Sequence, residues 1–416
     1  MSDALEHNET PSLQSSLLRR SASSAPSRNA SLALAGKGFR PFFLLAAAFA
    51  VAIVPLWLFV LQGSIRPSAY LDATSWHAHE MIFGFVVAVI AGFLLTAVGN
   101  WTQRETAVGR PLLALAALWL LGRLAMSASA AIPHGLVALA DLAFLPVLAV
   151  VLGRPLVATR NRRNFVMLGV LGALFLANLA MHFEALGVLP AGSARLASRV
   201  CVDLVLVLIT IVAGRIFPMF TRNATGQLSI RSHPSLDAAA IGALVALTVS
   251  DAFAPGSRLS ALIAGAAGLL AVCRAWHWGV RYSLKQPLLW VLHAGYAWLA
   301  LGLLLRGLVG FQSSGFETLA THALTVGAIG TLCLGMMARV SLGHTGRLLV
   351  APSSISVAFV AINIAAAVRV FVPLFAPGWY FGALVTAGVL WVTAFSAFLI
   401  AYTPMLLSPR VDGGAG

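Results

Sequence analysis

The sequence predicts an all-α, polytopic membrane protein of about twelve transmembrane helices. Its 416 residues are 59% hydrophobic and only 10% charged, with a mean hydropathy of +0.90. Soluble domains carry about 25% charged residues, so this chain is too apolar for a water-soluble fold of its length. The net charge of +14 would suggest a nucleic-acid partner in a soluble protein. In a membrane protein Lys and Arg collect in cytoplasmic loops, and we expect a lipid bilayer and no nucleic acid as partner.

Each predicted span approaches the roughly 20 apolar residues that cross a hydrocarbon core of about 30 Å. The spans lie near 42–62, 76–98, 111–129, 132–152, 164–186, 197–217, 236–254, 258–276, 288–309, 320–341, 352–374 and 380–403. Only a short stretch around Ala131–Pro133 divides the third from the fourth. Lys and Arg are concentrated in the N-terminal tail, every second loop and the C-terminus, which predicts that both termini are cytoplasmic.

The ends of the chain differ in composition from its centre. Residues 1–36 are rich in Ser, Ala and Arg without a sustained apolar core, so we predict a disordered cytoplasmic tail and not a cleavable signal peptide. Residues 37–405 form the predicted twelve-helix domain, and 406–416 a short cytoplasmic tail. The three cysteines lie in apolar stretches without CxxC or CxxCH spacing. This argues against a disulfide framework, a thiolate zinc site and covalently attached c-type haem.

The second span opens with two histidines and a glutamate in WHAHEMIFGF, residues 76–85. At about 100° per residue, His77 and His79 point about 200° apart, so they face different surroundings. The His77 face continues through Met81 and small residues and would admit a flat cofactor. Glu80 lies near that face and would orient a ligating imidazole. The His79 face is bulky, as if packed on lipid or side chains. The alternative for both histidines is an interfacial belt.

Further histidines lie at the two membrane surfaces. His322 opens the tenth span, and the predicted topology places it at the same non-cytoplasmic depth as His77. Two imidazoles at one depth on different helices suit axial ligation of a haem iron. His344 follows about 33 Å farther along the helix, on the cytoplasmic side, as does His293. One interpretation is a second metal site on this side, with imidazoles suited to copper or iron. The other is that His293 hydrogen-bonds a neighbouring helix and that His344 caps a loop.

Charged residues also occur inside or at the ends of spans, where they are costly. The arginines are Arg123, Arg215, Arg306, Arg339 and Arg369, and the acidic residues available as partners are Asp141, Glu184, Asp203 and Asp251. Structural ion pairs account for most of these arginines, and anionic haem propionates would equally recruit arginine near a helix end.

Several stretches together resemble one known family. They are GFRPFFLLA (38–46), WHAHEMIFGF (76–85), GNW (99–101), GRP (109–111), GRIFPMFTRN (214–223), HAGYAW (293–298) and THALTVGAIGTLCLGMMARVSLGHTGR (321–347). The combination is similar to the NnrS family and runs through nearly all twelve spans. The resemblance implies a bacterial inner-membrane protein with haem, here of the non-covalent b type, and copper, linked to the response to nitric oxide. It does not assign individual ligands.

A fainter resemblance is to the catalytic subunit of haem–copper oxidases, which also has twelve helices. There a histidine of the second span and one of the tenth hold the low-spin haem, and His77, four residues before Met81, and His322 occupy similar places. The departures are that Ala320 stands where the high-spin haem ligand would be and that the sixth and seventh spans lack the copper histidines. This argues against a binuclear centre and leaves a single bis-histidine haem.

These observations predict a membrane haem protein that protects against nitric oxide or responds to it. His77 and His322 are the predicted haem ligands, with Glu80 and Met81 beside them, and His79, His293 and His344 are the predicted ligands of a further metal such as copper. An electron donor and nitric oxide or a related small molecule are the expected partners, and an oxidoreductase is the enzyme class if the protein is catalytic. The alternatives are a twelve-helix permease for a small polar or metal solute, and a metal-handling factor for nitrogen-oxide enzymes.

Overall fold

The computed structural model describes residues 33–65, 70–310 and 317–414. The predicted disordered tail, residues 1–36, lies almost wholly outside this part of the chain. Within it, twelve helices are long and apolar enough to cross a membrane, which confirms the predicted fold class. They are α1 (Phe39–Leu61), α2 (Ala73–Thr102), α3 (Arg110–Ser127), α4 (His134–Ala158), α5 (Arg162–Ala185), α6 (Ser193–Thr225), α7 (Pro234–Phe253), α8 (Arg258–Trp276), α9 (Pro287–Val309), α10 (Glu317–His344), α11 (Ser353–Phe375) and α12 (Pro377–Leu406).

Helix ends are where the structure departs most from the predicted spans. The sixth helix continues to Thr225, whereas the predicted span ends at residue 217. Hydropathy marks only the apolar part of a helix, and α6 runs on through polar residues until Gly226 ends it in the left-handed conformation (φ 68°). The second helix begins earlier than predicted, because the Asp72 carboxylate accepts hydrogen bonds from the N–H groups of Thr74 and Ser75.

Three helices form the interior of the bundle. The apolar windows of α2, α10 and α6 are 83%, 78% and 72% buried, whereas that of α7 is 28% buried. A helix that is buried on all sides contacts only other helices, so its polar residues must find partners inside the protein. The histidine-bearing helices α2 and α10 are therefore central and not peripheral.

Both of these central helices change from α to π geometry directly after their histidines. The π segments are Glu80–Val86 in α2 and Ala323–Gly330 in α10. In a π-helix each backbone hydrogen bond joins residues five apart in the chain, one more than in an α-helix. Such segments are frequent at functional sites. Each segment also meets a bulky neighbour: a Cβ on Gly84 would lie 2.2 Å from the Phe49 ring, and one on Gly327 2.6 Å from the Trp298 ring. Glycine is therefore required for this packing.

Candidate functional site

A cavity of about 380 Å³ lies where α2, α6 and α10 begin, within the roughly 300–1,000 Å³ usual for ligand pockets. His77 and Met81 line it from α2, and His322 lines it from α10. The structure therefore brings together the two histidines that the sequence places at one depth. We call this space the His77–His322 cavity.

The two imidazoles of the cavity are held in different ways. His322 Nδ1 lies 2.7 Å from the carbonyl oxygen of Thr318, one turn earlier. A carbonyl only accepts, so Nδ1 carries the proton and Nε2 of the neutral ring keeps a free lone pair. The His77 ring stacks on Trp57, with centroids 4.3 Å apart and planes at 9°. Its Nδ1 is buried and has no hydrogen-bond partner among the described residues.

Several arginines surround the cavity. Arg195, Arg199 and Arg306 line it, and Arg306 is paired with Asp203 at 2.6 Å and with Asp251, as the sequence suggested. Arg369 of α11 acts electrostatically on both cavity histidines, and its Nη1 is buried without a partner in the described part of the chain. The cavity is thus mainly apolar in its walls, with arginines at its edge, of which Arg199 is paired with Glu317.

A second group of polar residues lies on the other side of α2 and is fully buried. His79, Asp141 of α4 and His182 of α5 are 0%, 4% and 0% exposed. Nε2 of His79 and Nε2 of His182 lie 3.3 and 2.9 Å from the same Asp141 oxygen, Oδ2. One donor atom from each residue falls within 4.8 Å of the others, the spacing of a group that could hold a metal ion.

The remaining members of this group connect the same three side chains. Glu80 Oε1 is 2.9 Å from His79 Nδ1 and accepts a 2.7 Å hydrogen bond from Arg123 Nη1 of α3. Arg123 also pairs with Asp141, as the sequence suggested. Asn178 Nδ2 donates to Asp141 Oδ2 at 2.8 Å, and its Oδ1 is 3.0 Å from His79 Nε2. We call these six residues, His79, Glu80, Arg123, Asp141, Asn178 and His182, the His79 cluster.

Helical geometry correctly separates His77 from His79 but assigns Glu80 to the wrong neighbour. The carboxylate contacts His79 and Arg123, and no contact with His77 is found in the described residues. The Glu80 side chain turns toward Arg123, because a carboxylate buried in the membrane interior is stabilised by an available cation. The surroundings of His79 are therefore polar, through Glu80 and Asn178. They are also bulky, as the sequence predicts, because the Phe83 ring lies 4.9 Å from the imidazole ring.

The other two predicted metal ligands have different neighbours. His293 Nε2 is 3.0 Å from the Thr221 hydroxyl, and the His344 ring packs 5.7 Å from the Phe39 ring. Neither belongs to a group of three donor residues; in the described residues the only such group is His79, Asp141 and His182. A hydrogen bond to a neighbouring helix, one of the two interpretations of His293, is observed.

Sequence reasoning did not assign a role to His182, and it treated Asp141 only as a partner for arginine. A usable signal was present: Asn178 and His182 are four residues apart and therefore share one face of α5. What could not be read from one chain was that α4 and α5 present Asp141 and this face to His79.

Comparison with known proteins adds one finding. The family model described as NnrS protein matches residues 33–410, nearly the whole chain. A search among curated proteins finds no match.

Proposed function

The chain belongs to the NnrS family, as its motifs predicted, and we propose that it is a membrane haem protein acting in the response to nitric oxide. The observation that carries the proposal is the convergence of His77 and His322 on one cavity of ligand-binding size. The two residues come from different helices, so their meeting is a property of the fold and not of local sequence.

The residues of the cavity fit a non-covalent haem. His322 keeps a free Nε2 because Thr318 occupies its Nδ1, and an occupied second nitrogen is the usual condition of a metal-ligating imidazole. His77 has a buried nitrogen without a partner among the described residues. Met81, Ile82 and Leu324 supply apolar walls.

Charge at the cavity edge supports the same ligand. Haem propionates are anionic and pair well with guanidinium groups. Arg195 lines the cavity without an ion pair to any described residue, and Arg369, whose charge acts on both histidines, has a buried Nη1 without a partner in the described part of the chain. Both arginines are available for this role, whereas Arg306 is already neutralised by Asp203 and Asp251.

The chain's own residues would bind and orient the group. When bound, haem would supply an iron that can exchange an electron, and that could bind a small diatomic molecule if one of the two histidines released it. Trp57 sets the plane of His77 by stacking, and the Thr318 carbonyl sets the rotation of His322. If the protein is catalytic, the class is an oxidoreductase acting on nitric oxide with electrons from a separate donor. Copper, which the family resemblance implies beside haem, needs a donor set outside this cavity.

We further propose that the protein lies in a bacterial inner membrane with both termini in the cytoplasm. The positive-inside distribution of Lys and Arg supports this orientation. It places the start of α2, α6 and α10, and with them the cavity, on the non-cytoplasmic side. Nitric oxide is small and uncharged, so it can reach a site at this depth from the lipid as well as from water.

The test is an optical spectrum of the purified full-length protein, oxidised, reduced, and reduced with nitric oxide. We expect haem absorbance that shifts with nitric oxide and falls at least tenfold in His77→Ala and in His322→Ala. His277→Ala, which removes an exposed histidine at the end of α8, is the control and keeps the spectrum. Wild-type protein without haem absorbance, or both cavity variants with the full spectrum, would overturn the proposal. Solute uptake by proteoliposomes of a haem-free protein would favour a permease instead.

A further inference from the structure

We infer that His79, Asp141 and His182 form a buried site for one divalent first-row transition metal, separate from the His77–His322 cavity. The inference gives a donor set to the non-haem metal named in the proposed function, but it stands on the geometry of different residues. The haem assignment can be wrong while this metal site is correct, and this metal site can be wrong while the haem assignment is correct.

The positions of the donor atoms are the first argument. His79 Nε2 and His182 Nε2 lie 3.3 and 2.9 Å from Asp141 Oδ2. Ligand atoms of one tetrahedral ion, each about 2.1 Å from it, are roughly 3.4 Å apart. The two histidine–aspartate distances match this spacing, and all three donor atoms, from helices α2, α4 and α5, lie within 4.8 Å of one another.

The second argument is that each imidazole has its other nitrogen occupied. His79 Nδ1 is 2.9 Å from Glu80 Oε1, and His182 Nδ1 is 2.6 Å from the Tyr70 hydroxyl. Metal-ligating histidines nearly always have this second contact, commonly with a carboxylate, and it orients the ring so that Nε2 can bind an ion in exchange for its proton. In both rings Nε2 faces Asp141, and Nδ1 contacts a polar group on the opposite side of the ring.

Charge gives the third argument. Glu80 and Asp141 are two buried carboxylates, 1% and 4% exposed, and the one guanidinium in the cluster is Arg123. With neutral imidazoles the cluster carries one uncompensated negative charge. An isolated charge in the interior of a membrane protein is strongly unfavourable, so the cluster calls for a cation between the histidines and Asp141. A divalent ion would turn the net charge of the cluster from −1 to +1, and a proton on His79 would bring it to zero, so the experiment below distinguishes the two.

The donor set indicates the class of metal. Two imidazole nitrogens and a carboxylate oxygen suit Cu²⁺, Zn²⁺ and Fe²⁺ better than Mg²⁺ or Ca²⁺, which prefer oxygen ligands only. Asn178 Oδ1, 3.0 Å from His79 Nε2, is placed to be a fourth, weaker ligand. The metal-binding series for such sites places Cu²⁺ above Zn²⁺ and Fe²⁺.

The experiment measures metal other than haem iron in the purified full-length protein. The protein is stripped with a chelator, incubated with one equivalent of Cu²⁺ or Zn²⁺ and desalted, and bound metal is counted by mass spectrometry. We expect about one ion per chain in the wild type, and at least a tenfold loss in His182→Gln and in Asp141→Asn. His277→Gln, which changes an exposed histidine outside the cluster, keeps the ion and the haem spectrum.

Electron paramagnetic resonance of the Cu²⁺-loaded wild type gives an answer without any variant. Two coordinating imidazoles should produce hyperfine splitting from two nitrogen nuclei. A wild type that retains no metal would show that a proton or the ion pairs alone neutralise the cluster, and would overturn the inference. So would undiminished binding by both folded variants, or a copper spectrum without nitrogen coupling. A wild type that binds metal but lacks haem would leave this site standing and remove the haem proposal.

Discussion

The His77–His322 cavity and the His79 cluster share one turn of α2, yet they differ in how completely their polar atoms are paired. In the cavity, His77 Nδ1 is buried without a partner among the described residues, and the same holds for Nη1 of Arg369, whose charge acts on both cavity histidines. In the cluster, both nitrogens of His79 and both nitrogens of His182 contact polar groups, and the exception among its buried polar atoms is Arg123 Nε, which has no partner in the described residues. Unpaired buried groups are costly, so those of the cavity are available to a large ligand, whereas the donors of the cluster already contact one another and a metal ion would bind between them in exchange for protons.

The comparison therefore predicts different consequences for stability on the two sides of α2. Removing a charge from the cluster breaks a closed network, and removing one from the cavity edge changes mainly what the cavity can bind. Three changes sharpen or break this contrast.

The largest effect is expected from Arg123→Gln. The change leaves Glu80 and Asp141 buried without their cation, and breaking a buried ion pair in this way costs about 3–5 kcal/mol. Arg195→Gln is the matched control, because it removes an exposed arginine at the cavity edge, where changes stay within about 0.5 kcal/mol. Thermal unfolding of both variants in detergent measures the difference. Equal stability of the two variants would show that the cluster is not the closed network described here.

A smaller and more selective effect is expected from Tyr70→Phe. Burial raises the pKa of Tyr70 to about 12, so its hydroxyl stays protonated at neutral pH and contacts His182 Nδ1. Losing a partner of this kind weakens metal binding about tenfold. A Cu²⁺ titration should show the loss while the haem spectrum stays unchanged. A changed haem spectrum with normal copper affinity would reverse the roles assigned to the two regions.

The smallest effect concerns the end of α2 that carries His77. Asp72→Ala removes the N-cap and should cost about 1 kcal/mol, whereas Asp72→Asn keeps a capping oxygen and most of the stability. Burial raises the pKa of Asp72, but hydrogen bonds from Ser75 and Thr74 lower it by more, and the net pKa lies below its ordinary value.

The sign of the pH dependence follows from that shift. A carboxyl whose pKa is lower in the folded than in the unfolded state stabilises the fold above the unfolded pKa of about 3.9. The contribution is lost as the pH falls below this value. Unfolding of the wild type should therefore lose a small increment between about pH 5 and pH 3 that Asp72→Asn does not show. Equal pH profiles of the two proteins would contradict this assignment.

The fold could be predicted from the sequence because each span is a local property. Hydropathy needs only a window of neighbouring residues, and the helices of the described chain fall where it places them, apart from ends such as Thr225. The separation of His77 from His79 is local too, since it follows from helical rotation. The meeting of His77 with His322 was an inference from depth, and depth follows from the charge distribution along the chain.

The His79 cluster could not be predicted in the same way. Its donors come from α2, α4 and α5 and its cation from α3, and the packing of four helices around one point is not a property of any window. Glu80 illustrates the limit: rotation places it between His77 and His79, and only Arg123, 43 residues away along the chain, determines which way it turns.

The two π segments have a consequence for how such chains vary in length. A π segment accommodates one residue more than a regular α-helix of the same rise, so it has the character of an insertion kept within a helix. Deleting one residue from Glu80–Val86 or from Ala323–Gly330 would restore α geometry. It would also rotate the preceding histidine by about 100° relative to the rest of its helix. In a homologue one residue shorter in either segment, that imidazole would therefore point in another direction. In an alignment of relatives, a single-residue gap in either segment should then mark the proteins that lack the His77–His322 cavity.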